Sequence, residues 1–159
     1  MRYAGIIPID LVNGTGIRVS LFTQGCNIHC YNCFNQELWN PDGGKPYTKK
    51  TEDLIIRLLD KPYIKGLSIL GGEPLMIQNL NALYLLCKRI KKELPDKDIW
   101  LYTGRTYNEI ITYSRINNKD YLLYNLIDVL VDGKYHDSER DLTLPFRGSK
   151  NQGIIKLGN

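Results

Sequence analysis

Three thiols fall within eight residues, at Cys26, Cys30 and Cys33 of the stretch GCNIHCYNCF. A loop this short cannot bury three cysteines as core. A Cys-x3-Cys-x2-Cys spacing instead wraps the chain around a compact inorganic centre, with sulfurs converging and backbone amides turned inward. Structural zinc sites and ordinary ferredoxin clusters take four protein ligands, so a set of three leaves one metal corner open to something other than protein. Two rival readings stay open on the residues alone. His29 offers a fourth ligand for a Cys3His zinc site, but it adjoins Cys30, and neighbouring side chains rarely converge on one tetrahedral ion. A disulfide framework leaves one loop cysteine unpaired, and the N-terminus does not resemble an export signal. The fourth cysteine, Cys87, shares a helical stripe with Leu80, Leu83, Ile90 and Leu94 and reads as a small core hydrophobe.

The 159 residues fit one domain, 1–159, and 43% of them are apolar, enough for a real core. No apolar run approaches the ~20 residues that span a bilayer. Unpaired thiols without an export signal point to a reducing cytoplasm. A net charge of +4, from 21 basic and 17 acidic residues, is too slight to argue for nucleic acid. The densest basic cluster, Lys88, Arg89, Lys91 and Lys92, closes a predicted helix, where cations complement the carbonyl end of the dipole.

Along the chain, residues 1 to 12 alternate loosely and suggest an edge strand interrupted by Pro8. Ile17 to Thr23, IRVSLFT, is a buried strand that runs straight into Gly25 and the cysteine loop. Phe34 to Trp39 reads as a short helix, and Thr51 with Glu52 and Asp53 opens another through Leu59. Gly66 to Leu70 is the next strand, ending in Gly71-Gly72-Glu73-Pro74, and a long amphipathic helix follows from Ile77 to Leu94. Asp98 to Tyr102 is a third strand, turned by Thr103-Gly104. Thr106 and Glu109 have capping-box spacing for a helix through about Ile116. A further helical piece is predicted over Tyr121 to Asn125, a buried strand over Ile127 to Val131, and a last one over Gly153 to Leu157. The least regular stretch is Tyr135 to Asn151. Strands alternating with helices predict an α/β fold with a mostly parallel sheet, and in this length an incomplete, open (β/α) barrel. The glycines and polar residues gather after the strands, where such sheets bind ligands.

The cysteine loop after a strand, joined to the GGEP turn after the next, resembles the radical S-adenosylmethionine enzymes. The blocks GIRVSLFTQGCNIHCYNCFN, GGEPL, WLYTGRTYNEI, IDVLVDGKY and FRGSKNQGII resemble, in that order, the anaerobic ribonucleotide reductase activating proteins. The resemblance implies an open barrel of the radical S-adenosylmethionine type. It also implies a [4Fe-4S] cluster on Cys26, Cys30 and Cys33, with S-adenosyl-L-methionine on the open iron. The activity implied is reductive cleavage of that cofactor to place a glycyl radical on the catalytic subunit of the reductase. Activation of a different glycyl-radical enzyme, action on a small molecule, and a non-catalytic iron-sulfur or zinc module are the competing readings.

By the same resemblance, Gly71, Gly72 and Glu73 hold the methionine amine, and backbone around Asn32, Cys33 and Phe34 meets the adenine. Thr103, Asp132 and Lys134 contact the ribose, the carboxylate or a nearby cation. The chain departs from the family pattern at Asn32, where many relatives in the wider superfamily carry an aromatic residue, and at Gly153, where Asn-Gln is usually followed by arginine. A low-potential donor such as flavodoxin is implied as partner, with the basic cluster at Lys88 to Lys92 as one surface for it. No nucleic acid or membrane partner is expected, and His136 reads as a surface histidine.

Overall fold

The computed structural model describes residues 1–117 and 126–157. Seven strands form one mixed sheet: β1 (Arg2–Asp10), β2 (Ile17–Thr23), β3 (Lys45–Pro46), β4 (Ile64–Gly71), β5 (Asp98–Tyr102), β6 (Val129–Asp132) and β7 (Gly153–Lys156). Their order is β3-β1-β2-β4-β5-β6-β7, so the sheet is not closed. The four central strands, β2, β4, β5 and β6, run parallel, while β1, β3 and β7 are antiparallel to their neighbours. Helices α1 (Lys49–Leu59), α2 (Ile77–Glu93) and α3 (Tyr107–Asn117) lie in the connections to β4, β5 and β6.

Side chains along the parallel strands alternate with period two. Val19, Leu21, Leu67, Ile69, Ile99, Leu101 and Leu130 join Ile55, Leu59, Leu83, Leu86 and Ile90 of the helices in the main core. Cys87 is fully buried there, as its stripe predicts, and burial pushes its thiol up to about 12. On the other face Trp100, Val129 and Val131 form a second cluster with Tyr102, Phe146 and Ile154.

Several boundaries differ from the sequence reading. The first helix begins at Lys49, because Thr48 and Thr51 cap it reciprocally: each side chain receives the other residue's backbone N–H. The helix expected over Phe34 to Trp39 is a single 3-10 turn, Gln36–Leu38. The capping box at Thr106 and Glu109 forms as its spacing predicts. The piece predicted over Tyr121 to Asn125 lies outside the described residues. The basic cluster is largely compensated within the chain. Arg89 contacts Glu52, Asp53 and Glu93, and Lys91 contacts Asp128 at 2.7 Å. Among the described residues, no helix is long and apolar enough to cross a membrane.

Candidate metal centre

Parallel pairing of β2 with β4, in register from Val19↔Leu67 to Thr23↔Gly71, brings the cysteine loop and the double-glycine turn off the sheet side by side. The junction is tight. Gly72 N–H donates to Thr23 O at 2.9 Å, and Glu73 N–H donates to Gly25 O at 2.7 Å. A Cβ on Gly72 would stand 2.1 Å from Gly25 O, so no other residue fits this approach. The root of the loop is pinned by Gly25 N–H to Leu38 O and Cys26 N–H to Trp39 O. Within it, His29 (φ 50°) and Asn32 (φ 54°) take left-handed conformations, rare for residues with a Cβ.

Cys26, Cys30 and Cys33 line one cavity of about 480 Å³ together with Phe34, Gly71, Gly72, Glu73 and Thr103. Each sulfur faces a backbone donor: Ile28 N–H for Cys26, Asn35 N–H for Cys33, both at 3.4 Å, and Tyr135 N–H for Cys30. Burial pushes the Cys30 thiol up, with Cys33 and Cys26 pushing the same way, against the pull of the Tyr135 amide and the Lys134 charge. All four cysteines are free.

Glu73 is wholly buried. Its Oε1 accepts from Thr103 Oγ1 at 2.8 Å and Leu75 N–H at 2.9 Å, and its Oε2 accepts from Gly104 N–H at 2.9 Å. Burial raises its pKa, and the three donors and Arg105 oppose that rise. The carboxylate thus ties the β4 turn to the β5 turn. Gly104 in turn leaves no room beside Ile28 of the cysteine loop, where a Cβ would come within 2.9 Å of the Ile28 side chain.

Three candidates from the sequence stand elsewhere. Asn32 and Lys134 line an adjoining surface groove that shares Cys30, Trp39 and Tyr135 with the cavity, and the Asn32 amide donates to Asp137 at 3.1 Å. Asp132 accepts from Tyr107 N–H at 2.7 Å and Gly153 N–H at 3.1 Å, joining α3 to β7. His29 stacks on Trp39 with ring centroids 4.5 Å apart. Among the described residues, no group of three or more His, Cys, Asp or Glu side chains is gathered tightly enough to hold a single ion. A cube-shaped cluster takes one thiolate at each of several irons, so its ligands stand apart around a common volume, and the three cysteines on one cavity wall fit that requirement. Sequence reasoning missed Arg147, Gln152 and Gly148, which line the same cavity from the irregular segment before β7. No periodicity marks that segment.

Three free cysteines on one cavity at the carboxyl ends of parallel strands are a donor set suited to a single iron-sulfur cluster. Residues 12–155 match the family model described as a 4Fe-4S single cluster domain. The chain is 45% identical over 159 residues to the anaerobic ribonucleoside-triphosphate reductase-activating protein of Vibrio cholerae, covering 99% of each chain. It is 42% identical over 159 residues to the protein of that name from Escherichia coli K12, again covering 99% of each. The like-named protein of Enterobacteria phage T4 is 39% identical over 154 residues, covering 97% of this chain and 93% of the phage protein. The chain belongs to the family of anaerobic ribonucleoside-triphosphate reductase-activating proteins.

Proposed function

We propose that this chain, as one domain, activates anaerobic ribonucleotide reductase by placing a glycyl radical on its catalytic subunit. The observation that carries the reading is one cavity lined by the three loop cysteines and the Gly71-Gly72 turn. Cys26, Cys30 and Cys33 would hold a [4Fe-4S] cluster in an open barrel of the radical S-adenosylmethionine type. Bound there, a reduced cluster together with S-adenosyl-L-methionine would supply one-electron reductive cleavage of the sulfonium and, through it, removal of a hydrogen atom from a substrate glycine.

The chain's own residues bind, orient and exclude water. The Gly71-Gly72 backbone admits the methionine amine at close approach, with carbonyl oxygens as acceptors. Glu73, whose oxygens already receive three donors, sets the spacing of that turn and adds negative charge beneath it. Phe34 and the Cys33 backbone flank the cavity where adenine would lie, and Thr103 bounds it on the β5 side. Asn32, Asp132 and Lys134 act from outside this cavity: Asn32 shapes the loop, Asp132 fixes β7, and Lys134 places positive charge near Cys30. An electron donor such as flavodoxin completes the system, and the free cysteines suit a reducing cytoplasm.

Anaerobic reconstitution tests the proposal. Reduced holoprotein, S-adenosylmethionine and the reductase subunit are expected to give a glycyl radical in electron paramagnetic resonance. Alanine at Cys26, Cys30 or Cys33 is expected to abolish both the cluster absorption and the radical. Tight zinc binding without cleavage of S-adenosylmethionine would leave a structural module instead.

A further inference from the structure

Among Asp, Glu, Lys and Arg, only Glu73 and Arg147 line the cavity, and their side chains are situated differently. Glu73 is saturated by its three donors. Arg147 has none of the described carboxylates within ion-pair reach. Its Nη1 donates to Gln152 O at 2.7 Å, while its Nε is buried without a partner. A buried, unsatisfied guanidinium donor is costly and calls for an acceptor.

The local backbone holds Arg147 in place. Phe146 adopts a φ of 58°, a strained conformation for a bulky side chain, with its ring packed edge-on to Trp100 at 5.4 Å. Gly148 N–H and Ser149 N–H both donate to Gln152 Oε1, and Gln152 Nε2 donates to Gly133 O at 2.9 Å, fastening the segment to the end of β6. The cation is therefore presented by a braced loop beside the thiolate centre. Asp132 and Lys134, to which the family resemblance gives the carboxylate or a cation, do not line this cavity.

We propose that Arg147 binds the carboxylate of the amino-acid end of S-adenosylmethionine, in the same cavity whose Gly71-Gly72 turn admits its amine. A zwitterion needs acceptors for one end and a cation for the other, and Arg147 supplies the second through charge-assisted hydrogen bonds. The assignment rests on the reading that this cavity takes S-adenosylmethionine.

The test is equilibrium binding of S-adenosylmethionine and of its decarboxylated analogue to reconstituted holoprotein. Arg147→Gln is expected to weaken S-adenosylmethionine binding by roughly 10- to 100-fold and to leave the analogue unchanged. Arg147→Lys, which keeps the charge but loses the planar fork, is expected to fall between and provides the measurement if the glutamine variant does not fold. Equal effects on the two ligands, or none on either, would overturn the assignment. Failure of the unmodified holoprotein to bind S-adenosylmethionine would instead sink the reading of the cavity, and this assignment with it.

Discussion

Replacing Glu73 by glutamine separates bracing from ligand binding. The carboxylate receives Thr103 Oγ1, Leu75 N–H and Gly104 N–H, so an isosteric amide must point its NH2 at one of these donors. Orphaning one buried donor costs about 1–3 kcal/mol, offset in part by removing a charge that burial already disfavours. The net loss expected in the metal-free protein is about 1–2 kcal/mol, or about 3–6 °C in melting temperature for a chain of this size. Circular dichroism melts check it. The pH dependence has a definite sign. Because the folded pKa of Glu73 is raised above its ordinary 4.5, its contribution is fully present below that value and is lost as pH rises through the folded pKa. The Gln variant should lack that slope. A Glu73→Gln variant that melts like the native chain at every pH would mean that the carboxylate does not brace the two turns.

Gly72→Ala is expected to prevent cluster assembly, since the new methyl group would sit 2.1 Å from Gly25 O; iron content after reconstitution measures it. Cys87→Ala is expected to cost about 1 kcal/mol by denaturant titration and to leave the cluster absorption intact. With its thiol pushed up to about 12, Cys87 in the folded protein should also resist alkylation at neutral pH while the loop cysteines of the metal-free chain react.

The parallel centre of the sheet was legible because its strands are short apolar runs with β-branched residues, each with a glycine within two residues of its end. At the antiparallel margin β1 and β7 were expected as strands, and β3 was not. The two residues of β3, Lys45 and Pro46, carry no strand signal, and they pair with Arg2 and Tyr3 only because the chain returns past the cysteine loop. At the site, cysteine spacing marked the three thiols that line one cavity, since three thiols so close in sequence have few other uses. The fate of Glu73 was hidden because its partners Thr103 and Gly104 lie a strand and a helix away. Asp132 and Lys134 follow one strand closely in sequence, yet β7 captures Asp132 through the Gly153 amide, and Lys134 stands in the outer groove. Arg147 falls in the resembling block FRGSKNQGII, but its place on the cavity was not legible, because it depends on the left-handed turn at Phe146 and on side-chain bonds from Gln152.

The amides aimed at the three sulfurs have an electrochemical consequence. A hydrogen bond to a coordinating thiolate favours the more negative, electron-rich oxidation state, so on the proposed three-cysteine cluster these donors would make the centre easier to charge and a milder reductant once charged. Main-chain hydrogens survive every substitution except proline, which would leave the midpoint potential of such a cluster largely indifferent to side-chain drift at positions 28, 35 and 135.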